Sequence, residues 1–135
     1  MNLDGEKKKI LMIEDDSFLR RLYRDRFEKE GFLFVEATNG EEGLNKIRQE
    51  KPDLILLNIL IPIKGGFDLL REIEEEPELK KIPVIVLTNL GHDEDIREGE
   101  SYGVAHYLIK AEVRFTEVIR KAKEVLEEKQ DGHNY

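Results

Sequence analysis

The chain has no cysteine, no tryptophan and only 4 prolines among its 135 residues. Without thiols there is no disulfide, no thiolate nucleophile and no thiolate metal ligand. That composition accords with a reducing compartment, and a cytoplasmic location is the expectation. No apolar run approaches the roughly 18 residues that span a bilayer, and residues 1–9 are polar and charged, unlike a secretory leader. Positive charge is short as well: 22 Lys and Arg against 30 Asp and Glu give a net charge of -8. That balance argues against nucleic acid or an anionic membrane as a direct partner. There is no internal repeat, no low-complexity segment and no Walker-type glycine-rich phosphate loop. His92, His106 and His133 have no metal-ligand spacing. What is present is 39% hydrophobic and 39% charged residues, a globular chain with a heavily charged surface. The length suits one domain, residues 1–135, with a core of about 8–128 and a polar tail over 129–135.

Short apolar runs alternate with amphipathic stretches, the pattern of an α/β domain with a parallel sheet. Strands are expected at Ile10–Ile13, Phe32–Ala37, Leu54–Leu57, Val84–Leu87 and His106–Ile109. The first helix runs from Ser17, its expected cap, to about Glu30, with Leu19, Leu22, Tyr23 and Phe27 inward and Gly31 stopping it. A second follows Asn39-Gly40, with Leu44 and Ile47 inward. A third spans about Phe67 to Glu76, burying Phe67, Leu70 and Ile73, and ends at Pro77. The fourth, about Asp93 to Tyr102, has one strong apolar residue, Ile96, with Gly99 inside and five acids, so it is expected to be the least rigid. The fifth runs from about Phe115 to Glu128 with Val118, Ile119, Ala122, Val125 and Leu126 inward. Five strands and five helices in alternation, joined by right-handed crossovers, put helices on both faces of the sheet.

Ligands of such sheets bind beyond the carboxyl ends of the strands. Those ends here carry Glu14-Asp15-Asp16, Asn58, Thr88 and Lys110. Paired carboxylates draw in a cation, and an oxygen donor set suits magnesium. A lysine can pair with a phosphoryl oxygen and a threonine hydroxyl can donate to another. Each feature alone has a plain reading: an acidic turn, a turn-capping hydroxyl, a surface lysine, a core tyrosine at 107. Together they describe a phosphoryl-transfer centre whose nucleophile is missing, because the amide of Asn58 forms no acyl phosphate.

The motifs Ile13-Glu14-Asp15-Asp16, Pro52-Asp53-Leu54-Ile55-Leu56-Leu57-Asn58, Pro62 with Gly66, Val86-Leu87-Thr88 and Tyr107-Leu108-Ile109-Lys110 occur in order at characteristic spacings. In this the chain resembles, over about Lys8 to Leu126, the receiver domain of bacterial two-component response regulators. The resemblance implies a flavodoxin-like doubly wound (βα)5 sandwich with a five-stranded parallel sheet in the order 2-1-3-4-5. It implies that Glu14 and Asp15 bind Mg2+ with the backbone carbonyl of Leu60 and the residue at 58, and that Asp16 is a less critical third acid. Thr88 and Lys110 would sense the phosphoryl group, and Tyr107 would swing inward with the threonine. Asn58 occupies the phosphoacceptor position. Implied partners are a histidine kinase or phosphotransfer protein and a downstream effector protein. The face of the fourth helix, fifth strand and fifth helix would serve output or a homodimer. The domain would be no classical enzyme, although a form with aspartate at 58 would catalyse its own phosphorylation and dephosphorylation. With no residues left for an output domain, output would be by protein binding.

The sequence departs from the family at four places. Asn58 removes the acceptor and one negative charge, so magnesium binding should be weak and this chain phosphorylation-incompetent. Ala111 stands where proline is usual after the lysine, and a cis peptide there without proline would cost about 3 kcal/mol. Gly65 replaces a common acid or amide, and Asn89 a usual small residue. Asn58 is either natural, giving a pseudo-receiver that binds protein without phosphate, or a change from aspartate. An aspartate-based phosphatase would need an acid two residues after its nucleophile, where Leu60 stands. A flavodoxin would need a Ser/Thr/Gly-rich loop where the three acids are. With no acceptor at 58, Lys110 is expected to pair with Glu14 or Asp15, or to lean into solvent.

Overall fold

The computed structural model describes residues 7–132, with side chains over residues 7–128. Its elements in chain order are β1 (Lys9–Ile13), α1 (Ser17–Lys29), β2 (Leu33–Ala37), α2 (Gly40–Glu50), β3 (Leu54–Leu57) and α3 (Gly66–Glu74). These are followed by α4 (Pro77–Lys80), β4 (Val84–Thr88), α5 (Asp93–Ser101), β5 (His106–Ile109) and α6 (Phe115–Gly132). All strand pairs are parallel, in the order β2-β1-β3-β4-β5. This is the expected doubly wound sheet.

The central strands are buried on both sides, which is why they read as unbroken apolar runs rather than alternating ones. Their side chains still alternate between two layers. Ile10, Met12, Leu54, Leu56, Ile85 and Leu87 face α1 and α6, packing with Tyr23, Phe27, Val118, Ile119 and Ala122. Leu11, Ile13, Ile55, Leu57 and Val86 face α2 and α3, packing with Leu44, Ile47, Leu69, Leu70 and Ile73. Each fully buried large side chain contributes about 1.5–3 kcal/mol. Phe27 is the largest of them, with Phe32 and Phe34 ring centroids at 5.8 and 6.0 Å.

The structure corrects several local expectations. There are six helices among the described residues, not five. Pro77 ends α3 but also opens α4, because its fixed φ and missing N–H suit a first helical turn. The cap of α1 is Asp16 rather than Ser17: its carboxylate accepts from Phe18 N at 2.9 Å and Leu19 N at 3.2 Å. Leu22 lies on the outer side of α1, 39% exposed. In α3 the buried positions are Leu69, Leu70 and Ile73, while Phe67 is half-buried. α6 continues past Glu128 to Gly132; the rest of the expected tail, with His133, and residues 1–6 lie outside the described residues. The Lys110–Ala111 peptide is trans, as are all described peptides.

Strand order reverses at β1 and β3. From β1 the chain steps to β2 on one side; from β3 it steps to β4 and β5 on the other. Crossover segments therefore diverge there and leave a crevice beyond the carboxyl ends of those two strands. Glu14 and Asn58 are the residues that follow them.

Candidate functional site

Glu14 begins where β1 ends, its N–H donating to Ala37 O at 3.0 Å. Its side chain is only 1% exposed, rare for a carboxylate unless it is paired. Oε2 accepts from Asp16 N at 3.0 Å and from Asn58 Nδ2 at 3.3 Å. Oε1 accepts no hydrogen bond of good geometry, but the Lys110 ammonium lies 2.7 Å from it. Lys110 thus takes one of the partners expected for it when position 58 holds no charge.

Asn58 is buried at 7% exposure, and its amide closes a small ring with the next turn. Nδ2 donates to Leu60 O at 3.4 Å and Oδ1 accepts from Leu60 N at 3.2 Å. The amide nitrogen therefore points toward two oxygens, those of Glu14 and Leu60. Close approach shapes this loop: a Cβ on Gly66 would come within 2.6 Å of Ile59 Cα, so only glycine fits. Ile63 in the same loop has φ +71°, strained for a β-branched residue. It is 76% exposed, with Leu60 at 54% and Phe18, at the start of α1, at 72%.

Thr88 is fully buried at the end of β4, its Oγ1 accepting from Leu90 N at 3.3 Å. Its carbonyl accepts from Lys110 N at 2.8 Å, so the threonine and the lysine are joined through the ladder. Tyr107 is turned toward α5. Its hydroxyl donates to Leu90 O at 2.6 Å, and a Cβ on Gly99 would come within 2.5 Å of its ring. Burial, followed by the nearby Asp95 and Glu98, pushes its phenol up to about 12. Burial and Glu14 push Tyr23 up to about 12 as well. His106 is lowered by burial and then by Lys121.

Contacts of 3.4 Å or less thus bring together Glu14, Asn58, Leu60 and Lys110, with Thr88 behind Lys110. Asp15 and Asp16 are exposed at the mouth, and Asp16 caps α1. Among the described residues no group of three or more His, Asp or Glu is arranged to hold a metal. Glu14 Oε2 and the Leu60 carbonyl, which both face the Asn58 amide nitrogen, are oxygen donors of the kind that hold a hard cation, while Glu14 Oε1 is taken by Lys110. The Asn58 amide, offering N–H where a carboxylate would offer oxygen, weakens that fit. For three residues the pattern along the chain does not show the contact they make. Arg20 Nη1 donates to Glu14 O at 2.8 Å, Asn89 Oδ1 accepts from Ala111 N at 3.0 Å, and Gly99 underlies Tyr107. Asn89 was visible as a departure and Gly99 as a weak point in a helix, but their partners lie on distant segments. Arg20 carries no signal beyond a polar helix position.

The response regulator receiver domain model matches residues 10–123. The polar-differentiation response regulator DivK of Brucella anthropi is 34% identical over 118 residues, 84% of this chain and 94% of that protein. The ycf27 protein of Guillardia theta, described as a transcriptional regulator, is 32% identical over 128 residues, 90% of this chain but 49% of that protein. The chain thus spans about half the length of the ycf27 relatives it matches. The phosphorylated cyanobacterial phytochrome response regulator RcpA superposes with a TM-score of 0.77 at 30% identity, covering 90% of this chain and 93% of that one. The sheet order agrees with these matches, and the chain belongs to the response regulator receiver domain family.

Proposed function

We propose that this chain is a two-component signalling receiver whose phosphoacceptor position is blocked. In a form with aspartate at position 58, a histidine kinase or phosphotransfer protein would supply the phosphoryl group. The observation that carries this is the cluster of Glu14, Asn58 and Lys110 at the reversal of strand order, with a buried Thr88 beside it. Glu14, Asp15, the Leu60 carbonyl and the side chain at 58 would hold Mg2+, which offsets charge on a phosphoryl group when bound. Lys110 would leave Glu14 for a phosphoryl oxygen, and Thr88 would offer its hydroxyl to another. Exposed Phe18, Leu60 and Ile63 at this end of the sheet support docking of a protein donor. Output would run through α5, β5 and α6, with Tyr107 coupling β5 to α5, toward an effector protein or a second copy. A cytoplasmic location goes with this reading.

A second reading has its own support. The present site is largely self-satisfied: Lys110 neutralises Glu14 and the Asn58 amide fills the space between Glu14 and Leu60. A natural pseudo-receiver binding protein without phosphate would look the same. The test is Asn58→Asp with Mg2+ and acetyl phosphate or a beryllofluoride salt. A phosphoryl mass increase or an adduct, with a change in fluorescence or oligomeric state, is expected. Absence of a mass increase, an adduct and any such change would sink the first reading and leave the second.

A further inference from the structure

Three consecutive residues, the last of β4 and the two that follow it, grip the segment around the end of β5. Thr88 O accepts from Lys110 N at 2.8 Å, Asn89 Oδ1 from Ala111 N at 3.0 Å and Leu90 O from the Tyr107 hydroxyl at 2.6 Å. The first bond is a rung at the end of the β4–β5 ladder. The second gives the next N–H a side-chain acceptor beyond the last residue of β4. The peptide units on either side of the Lys110 Cα are therefore both held. Beyond them, Glu112 N and Val113 N donate to Ile109 O at 2.9 and 3.0 Å and close the following turn. With both flanking peptides fixed, the direction of the Lys110 Cα–Cβ bond is set. Only the side-chain torsions remain to bring Nζ to 2.7 Å from Glu14 Oε1.

We propose that Asn89 is a positioning residue for Lys110, acting through the N–H of Ala111. Asn89 and Ala111 are both exposed, so neither packs in the core, and truncating Asn89 leaves no cavity. The pair is matched: the amide oxygen needs an N–H at 111, which alanine has and proline lacks. The trans peptide between Lys110 and Ala111 is the one that presents this N–H to Asn89.

The proposal deepens the reading of Lys110 given above, and its test is independent of phosphorylation. The full chain, with Asn58 in place and no phosphoryl donor, is treated with a limiting amine-acylating reagent, and each lysine is quantified by mass spectrometry. Lys110 is protected in the parent by its ion pair and its 21% side-chain exposure. Asn89→Ala should raise its labelling rate about 2- to 10-fold, the effect of one net hydrogen bond on a local opening equilibrium. Asn89→Asp keeps the acceptor oxygen and should restore the parent rate. Ala111→Pro should act like Asn89→Ala, and the double substitution should add nothing to either. If the proline variant does not fold, the two Asn89 variants decide alone. An unchanged Lys110 rate in Asn89→Ala, or equal rates in Asn89→Asp and Asn89→Ala, overturns the proposal. So does an equal rise at Lys9 and Lys123, which pair elsewhere with Glu50 and Glu30 and would report general loosening.

Discussion

Replacing Asn58 by aspartate removes an N–H donor and places a carboxylate beside the buried Glu14, whose Oε2 lies 3.3 Å from the Asn58 amide nitrogen. The lost hydrogen bond to a charged acceptor is worth about 1.5–3 kcal/mol. Two charges at that distance repel by about 5 kcal/mol at an effective dielectric constant of about 20. Two responses reduce this sum. Lys110, 2.7 Å from Glu14, gains a second carboxylate to pair with, and one acid can hold a proton instead of ionising. Once pairing and proton uptake cancel the repulsion, the lost hydrogen bond is what remains, a net cost of about 2 kcal/mol. For a chain of this size the unfolding entropy is about 0.28 kcal/mol/K, so the melting temperature of Asn58→Asp in EDTA should fall by about 7 °C. Magnesium removes the cause of the loss. At ten times its dissociation constant, linkage returns about 1.4 kcal/mol, or about 5 °C, to the aspartate form. The parent, with an amide in the site, should rise far less over the same range. Thermal melts of both proteins in EDTA and across a magnesium series measure this directly. Equal melting temperatures in EDTA, or an equal magnesium response in both proteins, would refute the reasoning.

Three further outcomes are expected. Gly99→Ala should push the Tyr107 ring away from α5, because the new Cβ would sit 2.5 Å from it; one tyrosine step in an ultraviolet titration should then move from about 12 toward the ordinary 10.0. Glu36 is raised by burial, but its bonds to Arg20 and Arg24 outweigh this and leave it below its ordinary value of 4.5. Its folded-state value being lowered, its contribution of about 1 kcal/mol is present above pH 4.5 and is lost as pH falls through the lowered value. The stability difference between the parent and Glu36→Gln should therefore be constant near neutrality and shrink in acid; a gap independent of pH contradicts the assignment. Phe27→Ala, at a fully buried position between Tyr23, Phe32 and Phe34, should lower stability by about 3–5 kcal/mol in urea unfolding, and a loss below 1 kcal/mol would show that the aromatic cluster does not anchor α1.

Much of the fold was legible in the sequence because strand burial is written as composition. Ile10–Ile13 and Leu54–Leu57 are unbroken apolar runs, and only a strand covered on both faces requires that. Polar residues directly after such runs mark the ligand end of a parallel sheet, so Glu14, Asn58, Thr88 and Lys110 could be named before their distances were known. Local chemistry was less legible where two residues compete for one role. Asp16 and Ser17 both suit an N-cap; Leu22 in α1 is exposed where an inward side chain is expected, and in α3 Leu69 is buried while Phe67 is only half-buried, because the rotation of each helix about its axis sets which side faces the sheet. Pro77 carried two meanings, stop and start, and both apply.

The sequence by itself determined the strand-and-helix alternation, which residues are candidates for the site and that position 58 carries an amide rather than a carboxylate, because these depend on residue type and spacing along the chain. Only the tertiary structure decided which of those groups touch. That Glu14 is shared between Lys110 and Asn58, that Asn89 holds the peptide after Lys110, and that Gly99 makes room for Tyr107 are contacts between segments 8 to 96 residues apart. Such pairings follow from strand order and register, and burial makes them matter: a carboxylate removed from water must take its partners from whatever the fold brings within reach.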